Sequence, residues 1–296
     1  GAAAPVAYRI LNHVQDSLFA RDVAELGAWR LNAGARWTRV DEKSYDPGSG
    51  ALLADDAMNR VMPELGILRR LGPDASLYAS YSEGLELGGL APAGTNNAEA
   101  VMPDQIARQF ELGAKRRFDG LLASVAAFRA WRPYAFIDPN NNYVQSGREI
   151  HTGIEAGAAG EAVPGVNVQA SATYMRAVQA GTGTSAYNGA TVPDVPDFSA
   201  ALFADAALPF APKAGIFAGW RFSSSKQVLP DGSVSVPGYQ VVDAGLRWAF
   251  ALDGERISLR FSVDNLFDVR YWRDVAQQYL FEGLSRSETL SASVDF

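Results

Sequence analysis

Cysteine is absent from this chain of 296 residues, and histidine occurs only twice. The lack of cysteine excludes a disulfide scaffold and any metal site built on thiolates, and it suits passage through an oxidising compartment. His13 and His151 have no partners at ligand spacing, so the sequence predicts no metal site. For His151, which shares the polar face of a predicted strand with Glu149 and Glu155, a wall-lining role is favoured over metal ligation or acid–base catalysis.

Catalytic motifs, long apolar runs and an excess of positive charge are also missing. No nucleophile-elbow, zinc-protease or phosphate-loop sequence occurs, which predicts a protein with no enzymatic activity, no catalytic residues and no cofactor. No run approaches the ~18 consecutive apolar residues of a transmembrane helix, although 48% of the residues are hydrophobic. A net charge of -7 argues against nucleic acid as a partner. No signal-peptide pattern opens the chain, so we expect that a signal was removed or that the beginning is missing.

Strict alternation of apolar and polar residues is what the sequence has instead. Ile257, Leu259, Phe261 and Val263 alternate with polar residues, and the same pattern returns over residues 290–296. Such alternation is typical of extended strands with one face in apolar surroundings and the other in water.

The whole chain follows this rhythm, with connections that alternate between short and long. Thirteen strands are predicted, centred on residues 16–25, 29–38, 61–69, 77–81, 109–115, 121–131, 150–156, 166–174, 198–206, 216–222, 242–250, 257–263 and 290–296. Long loops are predicted at 41–56, 84–104, 181–195, 226–237 and 268–283. This sorting indicates an antiparallel up-and-down transmembrane β-barrel rather than a soluble jelly roll or Greek key. The strand at 121–131 is apolar on both sides, so its faces cannot be assigned.

The strand at 29–38 has a tryptophan at each end of its apolar face. Trp29 and Trp37 are about 26 Å apart along a strand, or about 20 Å along the membrane normal when the strand is tilted, close to the ~25 Å apolar band of a barrel. We therefore predict that both rings lie at membrane interfaces. A soluble sandwich strand with two exposed rings is the alternative.

The end of the chain resembles a known family. Residues 263–272 (Val-Asp-Asn-Leu-Phe-Asp-Val-Arg-Tyr-Trp), a long loop and a last strand ending in Phe296 resemble the C-terminus of TonB-dependent outer-membrane receptors, which include ferric-siderophore transporters. Residues 77–83, 109–115 and 147–155 are similar to recurrent strand phrases of that family and occur in the family's order. The resemblance extends over about residues 14–296. Its motif residues are Asn265, Leu266, Phe267, Asp268 and Tyr271.

The resemblance implies a particular architecture. These receptors have a barrel of about 22 strands with a plugged lumen, so residues 1–296 would form the C-terminal part of the barrel, without the plug or the TonB box. An odd number of strands agrees with a fragment, because complete single-chain barrels have an even number. Transport by this polypeptide alone is therefore in doubt.

The alternation in the last two strands predicts which side chains face lipid. Within the barrel, we expect Leu259, Phe261, Leu290 and Val294 to face lipid and Arg256, Arg260 and Asp295 to face the lumen.

The resemblance also implies a function and partners. It predicts a receptor in the bacterial outer membrane that imports a ferric siderophore with energy supplied through TonB, embedded in outer-membrane lipid. The terminal Phe296 resembles the signal read by the barrel-assembly machinery. Loop aromatics of the family bind ligand, which suggests Tyr271, Trp272, Tyr279 and Phe281, although Tyr271 and Trp272 equally suit an interfacial girdle. A passive porin or structural barrel, an outer-membrane lipase or protease, and a soluble all-β binding protein are the alternatives.

Overall fold

The computed structural model describes residues 9–276 and 279–295, and this part of the chain is built from antiparallel β-strands. Their bounds are β1 (Leu11–Leu26), β2 (Trp29–Tyr45), β3 (Leu52–Arg70), β4 (Ala75–Glu86), β5 (Gln105–Phe118), β6 (Leu121–Ile137), β7 (Tyr143–Val163), β8 (Val166–Ala180), β9 (Phe198–Leu208), β10 (Ala211–Ser223), β11 (Lys226–Gln227), β12 (Ser235–Val236), β13 (Tyr239–Leu252), β14 (Glu255–Asp264), β15 (Trp272–Ala276), β16 (Tyr279–Glu282) and β17 (Ser287–Asp295). Over the same residues, no helix is long and apolar enough to cross a membrane.

Thirteen of these strands form one large sheet in chain order, which confirms the predicted count and the up-and-down topology. The order is β1 to β10, then β13, β14 and β17, and each strand pairs antiparallel with the next. The remaining strands form two small hairpins, β11–β12 and β15–β16, within long connections. In the described residues β1 and β17 are the two edges of the sheet and do not pair with each other. Phe296 lies outside the described residues, so its role in assembly stays a prediction.

The register of the sheet produces one continuous apolar face, here called the outward face. Residues directly opposite one another across six neighbouring strands are Ile67, Ala79, Leu112, Ala127, Ile154 and Tyr174. Large apolar side chains on this face are exposed, and Leu290 has 74% of its surface accessible. Because a soluble protein would bury such a face, this surface suits contact with lipid.

The opposite face, called the inward face, carries polar, charged and buried side chains such as Thr38, His151 and Gln179. The predicted split of the last strands is confirmed: Leu259, Phe261, Leu290 and Val294 share the outward face, and Arg256 and Arg260 lie on the other. The side chain of Asp295 falls outside the described part of the chain.

Strand β6, whose faces the sequence left open, is oriented by packing against a glycine. Ala127 lies outward opposite Ile154, whereas Phe128 lies inward opposite Gly153. A Cβ atom on Gly153 would come closer than 3.0 Å to the Phe128 ring. The same arrangement of an inward ring over a cross-strand glycine occurs at two further pairs, Tyr78 with Gly113 and Phe217 with Gly245.

The long loop predicted at 41–56 is wrong, because the strands continue through most of it. β2 ends at Tyr45 and β3 begins at Leu52, with only residues 46–51 between them. The pairing continues through Lys43 opposite Asp55, whose charged groups are 2.9 Å apart. Charged and polar side chains occur on both faces of this extension, so the sequence loses its alternation there while the backbone pairing continues. Hydrogen bonds from Ser49 close the turn and hold the pKa of the Asp46 carboxyl below its usual range.

The loops predicted at 226–237 and 268–283 are partly wrong as well, because they contain the hairpins β11–β12 and β15–β16. Strands of two to five residues are too short to give a readable period. Long connections occur at one end of the sheet, here called the loop end, and tight turns at the other, called the turn end.

Candidate functional site

Several long connections fold together at the loop end and enclose a cleft of about 410 Å³. Its walls come from the 87–104 loop, the upper ends of β6 and β7, the 181–197 loop, the β11–β12 loop and the β15–β16 hairpin. The lining is mainly apolar, with Leu90, Pro92, Val192, Pro193, Val228, Pro230 and Val275 among its residues. A concave apolar surface with few polar groups is the usual form of a small-molecule site.

Aromatic rings at the top of β6 form the floor of this cleft. Tyr134 and Phe136 are each only 4% exposed, and their rings stack with centroids 5.0 Å apart. Phe136 also meets the edge of Tyr187, from the 181–197 loop, at 5.2 Å. Burial raises the pKa of the Tyr187 hydroxyl above its usual value. The floor is therefore made of buried aromatic rings packed against one another.

Glu149 on β7 is the charged side chain among the residues that line the cleft. His151 Nε2 lies 2.8 Å from Glu149 Oε2, and Arg132 Nη1 lies 3.8 Å from the same oxygen. Arg132 is also paired with Glu86 at 2.9 Å. These contacts orient the carboxylate and balance its charge, so Glu149 can accept a hydrogen bond from a ligand without presenting an isolated negative charge. His151 thus lies on the inward face as a positioning residue, in agreement with the predicted wall-lining role.

A buried ammonium group joins three of the connections that form the cleft. Lys226 Nζ lies 2.5 Å from Asp194 Oδ1 and donates a hydrogen bond to the Arg273 carbonyl at 2.6 Å. Asp194 Oδ1 also accepts from the backbone N–H of Val275 at 3.2 Å. This group of contacts, here called the loop staple, connects the 181–197 loop, β11 and β15.

The side chain of Gln179 connects two of the same loops to the sheet. It is 1% exposed at the end of β8, and its Nε2 donates to the carbonyls of Thr191 and Pro230, both at 2.9 Å. A buried amide with two such bonds fixes the position of both backbones, since losing either bond would leave a polar group unsatisfied.

Of the four aromatic residues predicted to bind ligand, the structure brings one to the cleft. Tyr279 on β16 lines it. Tyr271 instead packs against Tyr239 in a tilted arrangement, with centroids 4.3 Å apart, and covers Gly283 inside the last loop. Trp272 and Phe281 are partly exposed and lie outside the cleft lining, with the Phe281 ring 5.0 Å from that of Tyr279.

The aromatic floor was missed by sequence reasoning. Tyr134, Phe136 and Tyr143 flank a turn at residues 138–142 that reads Asp-Pro-Asn-Asn-Asn. An aromatic-rich strand end followed by strong turn residues was the available signal. It was obscured because β6 is apolar on both faces.

The motif residues organise the last long connection rather than the cleft. Asn265 is 3% exposed with a left-handed φ of 51°, and its Nδ2 donates to the carbonyls of Val269 and Leu284 at 2.9 and 3.0 Å. Its Oδ1 accepts from the Val269 N–H at 2.9 Å. Asp268 accepts from the Arg286 N–H at 3.0 Å. Asparagine suits this position because it tolerates a positive φ while bonding nearby backbone. Of the other motif residues, Leu266 donates its backbone N–H to the Val242 carbonyl at 2.7 Å, and Phe267 is 69% exposed.

Comparison with known proteins agrees with this architecture. The family described as TonB dependent receptor-like, beta-barrel matches residues 2–266. The ferrichrome receptor FcuA of Yersinia enterocolitica is 28% identical over 90% of this chain, and the ferrichrome outer membrane transporter/phage receptor of Escherichia coli K12 is 27% identical over 98%. The crystal structure of BauA, the ferric preacinetobactin receptor of Acinetobacter baumannii, aligns over 97% of this chain with a TM-score of 0.80 and 26% identity.

The chain spans 36% and 39% of the lengths of the two curated relatives and 43% of the BauA structure. Its thirteen-stranded sheet thus corresponds to part of a larger receptor barrel. The match covers most of the chain, the strands pair in up-and-down order, and the sheet has one apolar face and one polar face. The chain belongs to the TonB-dependent receptor β-barrel family of the bacterial outer membrane.

Proposed function

We propose that the receptor containing this chain imports a ferric siderophore, and that the cleft at the loop end is part of its extracellular docking site. The observation that carries the proposal is the buried aromatic floor beneath converging loops. Relatives named as ferrichrome receptors, and the ferric preacinetobactin receptor, support this class of cargo.

The chemistry of the cleft suits a bulky iron chelate. In such a complex the siderophore occupies the metal's coordination sphere, so the receptor needs apolar contact area and a few hydrogen bonds rather than metal ligands. Tyr134, Phe136 and Tyr279 supply rings, and the oriented carboxylate of Glu149 supplies an acceptor for N–H or O–H groups of the ligand. The rings would supply apolar contact area for the ligand, and the carboxylate would fix its orientation.

Energy transfer is part of the same proposal. Family membership supports uptake driven through TonB, by way of a plug that would fill the lumen against the inward face, and insertion by the barrel-assembly machinery. Uptake that continues in a strain lacking TonB would favour the passive porin instead.

Binding to the cleft can be tested with three alanine variants of the full receptor. Tyr279→Ala removes a ring from the cleft, Phe281→Ala removes a neighbouring ring outside it, and Phe210→Ala removes an exposed ring at the turn end. Intrinsic fluorescence quenching by a ferric hydroxamate (ferrichrome) and a ferric catecholate, with ⁵⁵Fe uptake, gives affinity and transport.

We expect Tyr279→Ala to weaken binding of one of the two chelates about tenfold, as loss of a central interface ring does, and Phe210→Ala to have no effect. Phe281→Ala should have a small effect. If neither chelate binds the unchanged receptor, or if Tyr279→Ala binds as tightly as Phe210→Ala, the proposal fails.

A further inference from the structure

A second group of polar side chains occurs at the loop end, away from the cleft lining. His13 on β1, Glu42 on β2 and Asp104 at the end of the 87–104 loop each offer one ligand atom, and these three atoms lie within 4.8 Å of one another. His13 Nδ1 and Glu42 Oε2 are 3.0 Å apart. The sequence predicted no metal site because these residues are 29 and 62 positions apart along the chain.

Two atoms of this group are buried without a hydrogen-bond partner among the described residues. They are Nε2 of His13 and Oε1 of Glu42, and the whole of Glu42 is only 7% exposed. A buried carboxylate oxygen without a partner is costly and needs an explanation. A cation bound at Glu42 would give this carboxylate oxygen a partner, and the His13 ring nitrogen that faces Glu42 is Nδ1, 3.0 Å from Oε2.

The electrostatics of the group also favour a cation. Asp56 is opposite Glu42 in the sheet, and Glu42, Asp56 and Asp104 line the same small cavity of about 10 Å³. In the part of the chain that the structure describes, no lysine or arginine forms an ion pair with any of these three carboxylates. The cavity is about the size of one water molecule or ion, and His13 lies beside it through its contact with Glu42 rather than in its lining.

The other histidine–glutamate pair shows what a satisfied site looks like. His151 and Glu149 are equally close, at 2.8 Å, but Arg132 lies 3.8 Å from the same carboxylate oxygen and supplies the positive charge. Of these two pairs in the described residues, the His151–Glu149 pair has an arginine beside its carboxylate and the His13–Glu42 pair has no lysine or arginine paired with it.

We propose that His13, Glu42 and Asp104 bind a divalent transition-metal ion, with Zn²⁺ as the best fit, and that the ion anchors the 87–104 loop to the barrel wall. One imidazole and two carboxylates suit Zn²⁺ better than Ca²⁺ or Mg²⁺, which prefer oxygen alone. Tetrahedral bonds of about 2.0–2.2 Å place ligand atoms about 3.3–3.6 Å apart. Since the three atoms lie within 4.8 Å of one another, side-chain rotations that bring them closer by up to about 1.5 Å would complete the site.

The loop side of the site is already held in place. Asp104 accepts a hydrogen bond from the Gly88 N–H at 2.9 Å, which joins the two ends of the 87–104 loop. A Cβ at residue 88 would overlap the Met102 carbonyl, so only glycine allows this close approach. Because Leu90 and Pro92 of the same loop line the cleft, an ion at Asp104 would fix one wall of that cleft.

Zinc binding can be measured on the full receptor, purified in detergent without a histidine tag and treated with chelator. Calorimetric titration with ZnCl₂ should give one site per chain with a dissociation constant below about 100 µM. His13→Ala and Asp104→Asn should each weaken binding at least tenfold, and the matched control His151→Gln should not change it. Heat-modifiable migration of each variant reports that the barrel has formed.

Limited proteolysis tests the anchoring role. Zn²⁺ should slow cleavage within residues 87–104 at least severalfold in the unchanged receptor and not in Asp104→Asn. No zinc binding, binding that survives both ligand substitutions, or binding of Ca²⁺ in preference to Zn²⁺ would overturn the metal site. Zinc binding without protection of the loop would overturn the anchoring role. None of these outcomes depends on the siderophore proposal.

Discussion

Leu290 and Ser291 are neighbours in β17 with opposite surroundings, since Leu290 faces outward beside Phe261 and Ser291 faces inward beside Arg260. Replacing Leu290 by arginine places a charge on the lipid face, which costs about 2–4 kcal/mol near the middle of a bilayer. Ser291→Arg should cost much less because its side chain reaches the polar lumen. Equilibrium unfolding of the two variants in lipid vesicles measures the difference, and equal stability would contradict the assignment of faces.

A pair of glycines gives a second prediction for single residues. A methyl group on Gly245 would collide with the Phe217 ring and the Phe261 carbonyl, whereas one on Gly66 would find its nearest neighbour at 3.7 Å. Both glycines lie on the inward face within strands. We expect Gly245→Ala to lower the free energy of unfolding by about 1–3 kcal/mol, as overpacking does, and Gly66→Ala to change it little. The same vesicle assay measures both, and a tolerated Gly245→Ala would show that the ring can move aside freely.

At this scale, the orientation of side chains was readable from the sequence and their loop contacts were not. Period-two alternation fixes the faces of residues such as Leu259 and Arg260, because successive side chains point to opposite sides of a strand. No local pattern indicates that Tyr279 reaches the cleft and Phe281 does not. That difference depends on how four separate connections pack with the ends of β6 and β7 at the loop end.

For the elements, the loop staple leads to a further prediction. Lys226 is buried and joins three connections, whereas Lys43 forms an exposed pair with Asp55 on the polar extension of β2 and β3. Lys226→Met should destabilise the loop end by about 1–3 kcal/mol, less than for a fully buried pair because Asp194 remains 39% exposed. Lys43→Met should change stability by less than about 1 kcal/mol, the usual value of an exposed pair.

Limited proteolysis and chelate binding provide the measurement. Lys226→Met should give faster cleavage within 181–197 and weaker binding, with the transmembrane part of the barrel still heat-modifiable. If Lys43→Met is cleaved as fast as Lys226→Met, the staple has no special role.

All thirteen large strands were predicted, yet their ends were not. β7 has 21 residues, far more than the about 9–11 that cross a bilayer. Alternation is visible only where one face meets lipid, so the sequence showed the part of each strand within the membrane. The water-exposed extensions and the short hairpins keep backbone pairing without that signal.

At the scale of the whole molecule, the open edges of the sheet have a consequence for the 296-residue chain by itself. β1 and β17 each have one neighbour in the described residues, and unpaired backbone groups in lipid cost several kcal/mol each. We expect these residues, produced alone and refolded in detergent, to aggregate along the edges rather than give a monomeric heat-modifiable barrel. The full receptor in the same detergent is the control. A stable monomer with growth-supporting iron uptake would contradict this expectation.

The long strands also determine the kind of surface that carries the cleft at the loop end. β2, β3, β6 and β7 have 17 to 21 residues each, so about seven to eleven residues of each project beyond the bilayer as paired sheet. The cleft side chains at the end of β6 are therefore carried by hydrogen-bonded sheet rather than by an unpaired loop. If the cleft binds the proposed cargo, a preformed surface of this kind loses little conformational entropy on binding, and the affinity need not compensate for ordering the loops. The strength of binding then depends mainly on how slowly the ligand leaves that surface.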